Sequence, residues 1–200
     1  MADISFRDIF CSKRGDRDKF LSRIFGIFSE EIVRIWCTNP KSSYENLGRP
    51  VLKKTANERG LVLDFTLKSN TDGRVFIAEQ KCELQYQNYK YLKLKSLSQL
   101  DHHKGEAFTR FRDLAKNPSR YIVTANGKKV HSTGAILIWG SVDKNSVNMI
   151  KQETGIHDIL SLEIIISDLL RWVDPEYQRL INEREKWCQE LFTALAGLDQ

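Results

Sequence analysis

Three charged side chains of this 200-residue chain share one face of a predicted β-hairpin. Asp64 stands in an alternating segment at residues 61–68, and Glu79 and Lys81 stand in a second alternating segment at residues 74–84. Two carboxylates on one small patch are suited to hold a hard divalent cation, and a neighbouring lysine can assist proton transfer. This patch is therefore the first candidate for chemistry.

The loop between the two segments leaves two registers open. If residues 70–73 form a four-residue loop, Asp64 lies directly opposite Glu79. If residues 72–73 alone form the turn, Asp64 faces Lys81 instead. Directly paired residues lie on the same side of a sheet, so both registers place the three side chains on one face.

Two interpretations of this patch remain open. Like charges opposite each other destabilise a sheet unless a cation sits between them, which favours a metal site at Asp64 and Glu79. The alternative is a cross-strand ion pair with Lys81 on an exposed sheet face, which contributes little to stability.

A long helix precedes the hairpin and carries a further acid. Residues 18–38 have helical periodicity, with Asp18 as the predicted cap and Asn39–Pro40 as the predicted stop. Glu31 falls inside the predicted apolar stripe, where a charge needs compensation. It is either a site residue or a partly buried acid paired with an Arg or Lys. The stripe comprises Phe20, Leu21, Ile24, Ile27, Phe28, Ile32 and Ile35.

The remaining pattern mixes helices and strands, which predicts an α/β fold with a mixed central sheet flanked by helices. We expect a single domain over residues 1–200, with a core at about 18–140 and a C-terminal helical region at about 156–197. The further predictions are one or two helices over 86–116 with a break at Gly105, a strand at 121–125, a turn at Asn126–Gly127, a buried strand at 134–139, an ambiguous segment at 156–173, and a helix from Asp174–Pro175 to Gly197.

The order of these elements resembles the PD-(D/E)xK nuclease superfamily. That pattern has an acid on the first core helix, an acid on one strand and an ExK triplet on the next. The matching residues here are Glu31, Asp64 and the triplet Glu79–Gln80–Lys81, and the resemblance extends over residues 18–139 as an order of elements. Leu63 precedes Asp64 where the pattern expects Pro. The resemblance implies a restriction-endonuclease-like fold.

The resemblance also implies roles and a cofactor. Asp64, Glu79 and the backbone carbonyl of Gln80 would hold Mg²⁺, with Mn²⁺ as a substitute, and Glu31 would reach it directly or through water. Lys81 would orient the attacking water or stabilise the transition state. The implied activity is a metal-dependent nuclease, in particular a DNA endonuclease of restriction, repair or mobile-element type. The alternative is a non-catalytic nucleic-acid-binding module with the same fold.

Composition agrees with a polyanionic partner without requiring one. The formal charge is +5 and the isoelectric point is near 9.0. The four cysteines form no CxxC pair, and neither a signal sequence nor a membrane-spanning run is apparent, so we expect a cytoplasmic protein with reduced thiols and no membrane. DNA is the expected partner, while RNA and a second copy of the chain stay open.

Basic side chains supply the candidates for nucleic-acid contact. One group lies in the loop before the hairpin, and another interleaves with Tyr86 and Tyr89 after it, where lysines of an ordinary amphipathic helix are an equal alternative. His102–His103 is expected to be a surface pair. The candidate basic contacts are Lys53, Lys54, Arg59, Lys90 and Lys93.

Overall fold

A computed structural model describes residues 6–12, 14–82 and 90–197. The α-helices of this part of the chain are α1 (Phe6–Phe10), α2 (Gly15–Thr38), α3 (Glu106–Lys116), α4 (Lys144–Thr154), α5 (Leu162–Arg171) and α6 (Pro175–Ala196). Its strands are β1 (Tyr44–Asn46), β2 (Pro50–Lys53), β3 (Leu61–Val62), β4 (Phe65–Ser69), β5 (Val75–Lys81), β6 (Lys93–Leu94), β7 (Ile122–Ala125), β8 (Lys128–Val130), β9 (Gly134–Trp139), β10 (Ser141–Val142) and β11 (Asp158–Ser161). The expected mixed α/β class is confirmed.

The central sheet has five strands in the order β1-β4-β5-β9-β11. β1, β4 and β5 pair antiparallel, whereas β5 with β9 and β9 with β11 pair parallel. A second sheet, β3-β2-β7-β8, is antiparallel throughout, and β6 and β10 form a short parallel pair. The central sheet is therefore mixed, as the sequence predicts.

Each face of the central sheet has its own hydrophobic cluster. Phe76 and Ala78 point to one face, where α2, α5 and α6 pack. Ile77 and Leu137 point to the other face, which is covered by α3, α4 and the second sheet. Side chains alternate along a strand, so Glu79 lies on the face of α3 and not on the face of α2.

α2 begins three residues earlier than predicted, and Asp18 is not its cap. The Asp18 carboxylate is buried within the first turns and accepts bonds from the Ser12 backbone N–H at 2.8 Å and the Ser12 hydroxyl at 2.7 Å. The predicted stop is confirmed, since the helix ends at Thr38 and Asn39 is extended.

The predicted apolar stripe of α2 is wrong along one edge. Ile27 is 79% exposed, and Phe20 is also exposed. The buried face passes instead through Phe25, Ser29 and Val33. The sheet covers only one side of α2, and the broad stripe extends beyond that side.

The hairpin takes the register with the four-residue loop. Phe65 pairs with Ala78, and the Ser69 backbone N–H donates to the Arg74 carbonyl at 2.8 Å across the turn. The single strand predicted over 61–68 is wrong, because β3 pairs with β2 of the second sheet and β4 pairs with β5 of the central sheet. The chain changes sheets at residues 63–64, next to the candidate site.

The segment before α3 also differs from the prediction. Within residues 90–116 only α3 is an α-helix, and Gly105 directly precedes it. β6 and a 3₁₀ turn at Leu97–Leu100 occupy the remainder, and the turn is closed by a capping box between Ser96 and Gln99. The predicted positions Tyr86 and Tyr89 lie outside the described residues.

The structure assigns the C-terminal segment that the sequence left ambiguous and confirms the last helix. The ambiguous segment contains β11 and α5, and Asp174 caps α6 by accepting the Tyr177 backbone N–H at 2.9 Å. Gly197 ends α6 in the left-handed region at φ 71°. Most of the apolar positions of α6 are exposed. None of the helices in the described ranges has the length and apolar character to cross a membrane.

The exposed apolar positions of α6 adjoin those of α2. The rings of Phe20 and Phe192 lie 6.0 Å apart between centroids. We call this surface the α2/α6 apolar face, and its members are Phe20, Ile27, Trp187, Leu191, Phe192 and Leu195.

Candidate functional site

The structure brings Asp64 and Glu79 together at the end of the hairpin. Asp64 precedes β4, and continuing the register beyond Phe65 and Ala78 sets it opposite Glu79. Its Oδ2 accepts the backbone N–H of Gln80 at 2.8 Å. A side-chain oxygen of the residue just before β4 therefore accepts a backbone N–H of β5, which fixes Asp64 against the strand that carries the triplet.

Glu79 is the buried member of the pair. It is 5% exposed, and its Oε1 accepts a bond from Lys81 Nζ at 2.7 Å. Among the described residues, no hydrogen-bond partner reaches the buried Oε2. Burial and the Asp64 charge raise the pKa of Glu79 above its ordinary value, and Lys81 opposes this effect. One carboxylate oxygen is thus left without the positive or donor contact that its burial requires.

Two cations flank the carboxylates. Lys81 lies on the same face as Glu79, and its Nζ is 5.8 Å from the centre of the Phe108 ring on α3. Arg49 approaches from the other side, with Nη2 at 3.3 Å from Asp64 Oδ1 and Nε donating to the Leu63 carbonyl at 3.3 Å. Sequence reasoning missed Arg49, because its position depends on the pairing of β2 with β3 and no local pattern indicates that pairing.

Gln80 points away from the carboxylates, as alternation along β5 requires. Its side-chain amide donates to the Ser29 hydroxyl on α2 at 2.8 Å, and its Oε1 is buried without a hydrogen-bond partner among the described residues. The role of its backbone carbonyl as a metal ligand stays a prediction. Ser29 ties β5 to α2 and was not singled out in the sequence.

Among the described residues, no hydrogen bond or ion pair joins Glu31 to Asp64, Glu79 or Lys81; its partner is Arg184 on α6. Glu31 lies on α2, which covers the opposite face of the central sheet, and its side chain is 42% exposed. Its Oε2 accepts a bond from Arg184 on α6 at 2.6 Å. The alternative of a partly buried acid paired with an arginine describes this geometry, and the expected burial inside the apolar stripe is wrong. The helix is rotated so that Ser29 faces β5 instead.

The predicted basic contacts are spread over two regions. Lys53 and Lys54 lie at the end of β2, with Lys54 Nζ 3.9 Å from Asp113. Arg59 is exposed before β3. Lys90 and Lys93 lie around β6, away from the loop group in sequence.

The expectation of a surface histidine pair is wrong. His102 and His103 are half-buried, and the His103 ring lies 4.9 Å from the Phe108 ring and 5.9 Å from the Trp139 ring. Lys81 lies over the same Phe108 ring, so the two histidines are next to the candidate site.

The donor set fits a single hard cation held in part by solvent. No group of three or more His, Cys, Asp or Glu side chains within residues 6–12, 14–82 and 90–197 is arranged as a metal centre. Asp64 and Glu79 form a pair, and Mg²⁺ is commonly bound through one or two carboxylates with several waters. A cation at Glu79 Oε2 would supply the positive contact that this buried oxygen lacks.

Comparison of the chain with protein-family models, with curated proteins and with solved structures finds no match.

Proposed function

We propose that the protein is a divalent-metal-dependent nuclease that hydrolyses phosphodiester bonds, with DNA as the substrate and internal cleavage as the mode. The observation that carries the proposal is the buried Glu79 carboxylate, which faces a second carboxylate and has one oxygen without a partner. A purely structural sheet has no use for such a pair, because like charges in register are destabilising.

Each residue has a role in this proposal. Asp64 and Glu79 would hold Mg²⁺, or Mn²⁺ in its place, with the Gln80 carbonyl as a further candidate ligand. When bound, the ion would neutralise charge on the phosphodiester and lower the pKa of a coordinated water. Lys81, already 2.7 Å from Glu79, would orient the water or stabilise negative charge in the transition state. Arg49 positions Asp64 through its 3.3 Å contact.

The proposed fold is restriction-endonuclease-like. Support comes from the mixed central sheet with helices on both faces and from the acid pair and lysine at the ends of adjacent strands. The proposed location is the cytoplasm, because all four cysteines remain thiols, as is usual in a reducing compartment.

The test is cleavage of supercoiled plasmid DNA with Mg²⁺ or Mn²⁺, combined with calorimetric Mn²⁺ titration. We expect Asp64→Asn and Glu79→Gln to abolish cleavage and to weaken Mn²⁺ binding while the fold persists. Glu153→Gln, which neutralises an exposed acid on α4, is the matched control and should behave as wild type. Wild-type activity in both site variants would overturn the assignment. DNA binding without cleavage by the wild-type protein would identify the non-catalytic module instead.

A further inference from the structure

A cleft of about 560 Å³ lies at one end of the second sheet, and neither Asp64 nor Glu79 is among the residues that line it. β2 ends there, β7 begins there and β8 ends there, because β7 is antiparallel to both of its neighbours. Cationic side chains reach the cleft from three separate parts of the chain. The polar side chains that line it include Lys54, Ser119, Arg120, Lys129 and His131.

The positive charge of the cleft exceeds the negative charge nearby. Asp113 forms ion pairs with this group, through Lys54 at 3.9 Å and Arg120 at 3.5 Å, whereas Glu58, which accepts the Lys54 backbone N–H at 2.6 Å, is already paired with Arg110. Asp113 Oδ2 also accepts the Tyr121 hydroxyl at 2.6 Å. One carboxylate therefore holds two cations in place and cannot neutralise both of them.

Lys129 adds a third charge. It projects from β8 opposite Thr124 and is exposed, and no ion pair involves it in the part of the chain that the structure describes. The cleft consequently presents cations held by the fold and a further cation available to a ligand.

We propose that this cleft binds a phosphate group carried on a nucleotide, as a second anion site separate from the carboxylate pair. The volume lies in the range of small-molecule sites, about 300–1,000 Å³, and is large enough for a nucleotide. Arg120 supplies the planar fork that pairs well with phosphate oxygens, and lysines supply point charges. Two sources share this chemistry: a free mononucleotide and the backbone of a nucleic acid.

The position of the cleft relates it to the candidate site through α3. Phe108 of α3 lies beside Lys81, and Asp113 lies five residues later, about 7.5 Å along the helix axis at about 1.5 Å per residue. Helix α3 therefore contributes a residue to the surroundings of both sites. Binding of a nucleic-acid backbone rests on the proposed nuclease function, whereas binding of a mononucleotide does not.

The experiment measures binding without cleavage. In EDTA, the full chain is titrated into a fluorescein-labelled 20-nucleotide DNA, single-stranded and duplex, and AMP is titrated by calorimetry. We expect Arg120→Ala and Lys129→Ala each to weaken binding about tenfold, and to reduce the slope of log affinity against log salt by about 1 for the DNA. Lys186→Ala removes an exposed cation on α6 and serves as the control.

The results distinguish a mononucleotide ligand from a nucleic-acid backbone, and both of these from the absence of an anion site. Weakened DNA binding with no AMP binding identifies the backbone source, and weakened AMP binding identifies a nucleotide site. Both support the cleft, whether or not the protein later cleaves DNA. Equal behaviour of the cleft variants and Lys186→Ala, or no binding of either probe by a folded protein, would overturn it. Thermal melting of each variant shows that the fold is retained.

Discussion

Glu79 links the candidate site to the pH dependence of folding. Burial and the Asp64 charge raise its pKa above the ordinary 4.5, so the folded state favours the protonated form. The stabilisation is complete below pH 4.5 and is lost as the pH rises through the raised pKa. In EDTA, we expect the urea midpoint of the wild type to fall as the pH rises from 4.5 through the raised pKa of Glu79. The Glu79→Gln variant should lack this part of the fall.

The comparison for this prediction is again Glu153→Gln, which should keep the wild-type pH profile because its side chain is exposed on α4. Addition of Mn²⁺ should reduce the decline at neutral pH, since a bound cation favours the ionised form. A Glu79→Gln profile that parallels the wild type would show that Glu79 has the same pKa in the folded and unfolded states.

Substitution of Lys81 distinguishes a structural ion pair from a catalytic site. If Lys81 only pairs with Glu79, Lys81→Ala lowers the free energy of unfolding by up to about 3–5 kcal/mol, because the buried Glu79 carboxylate loses its cation, and it leaves the cleavage rate unchanged. In the proposed nuclease, the lysine competes with the cation. We therefore expect Mn²⁺ affinity to hold or increase and the single-turnover cleavage rate to fall by about 10² or more. Lys144→Ala on α4 is the control, and a wild-type rate for Lys81→Ala would remove Lys81 from the site.

At the scale of the elements, the ion pair between α2 and α6 predicts how a Glu31 variant behaves. Glu31 and Arg184 join these helices at 2.6 Å, and Arg184 also lies 4.3 Å from the Trp187 ring centre. Because Glu31 is on the sheet face opposite Glu79, we expect Glu31→Gln to cleave DNA at the wild-type rate. Its stability should fall by less than about 1 kcal/mol, as for other partly exposed pairs. Urea denaturation and the plasmid assay measure the two effects.

A loss of cleavage in Glu31→Gln comparable to that of Glu79→Gln would contradict this placement. Arg184→Gln is the companion variant, since it breaks the same pair from the other helix. Equal stability losses in the two variants would show that the pair itself accounts for the effect.

The hairpin was predictable because its information is local. The turn at residues 70–73 and the alternation of the strands brought Asp64 and Glu79 onto one face, and the structure selected one of two registers. The change of sheets at residues 63–64 was not predictable, since it depends on the distant partner β2. The same reason applies to Arg49 and to the basic cleft, whose members come from strand ends that adjoin only in three dimensions.

The face that α2 buries was harder to predict for another reason. Hydrophobic periodicity identified the helix but not which part of a broad stripe meets the sheet. Ser29 lies on the buried face and bonds to Gln80, while Ile27 faces outward. Ser29 can be buried because its hydroxyl accepts a hydrogen bond from Gln80 on β5. The hydrophobic pattern of α2 does not indicate this bond, so it favours the apolar Ile27 as the buried residue.

At the scale of the molecule, the α2/α6 apolar face departs from an ordinary surface, since several large apolar side chains are exposed together there. We expect Ile27→Gln and Leu191→Gln to change the free energy of unfolding by no more than about 0.5 kcal/mol, because both residues are already exposed. Binding of a dye specific for exposed apolar surface should decrease. Ile32→Gln is the buried counterpart on α2 and should destabilise by several kcal/mol, about 2–5.

Urea denaturation at low and high protein concentration is the measurement. A destabilisation of Leu191→Gln that grows with protein concentration would contradict the prediction, because it would mean that a second copy covers this residue in the wild type.

The strand arrangement also has a consequence for the order in which the protein folds. β4 meets β5 across a short loop, whereas β5 meets β9 by joining residues 76 and 134. Closing a short loop has a smaller entropic penalty, so the hairpin forms early in folding and the parallel pairing later. We therefore expect the repulsion between Asp64 and Glu79 to act already in the transition state, so that it slows refolding of the chain more than it accelerates unfolding.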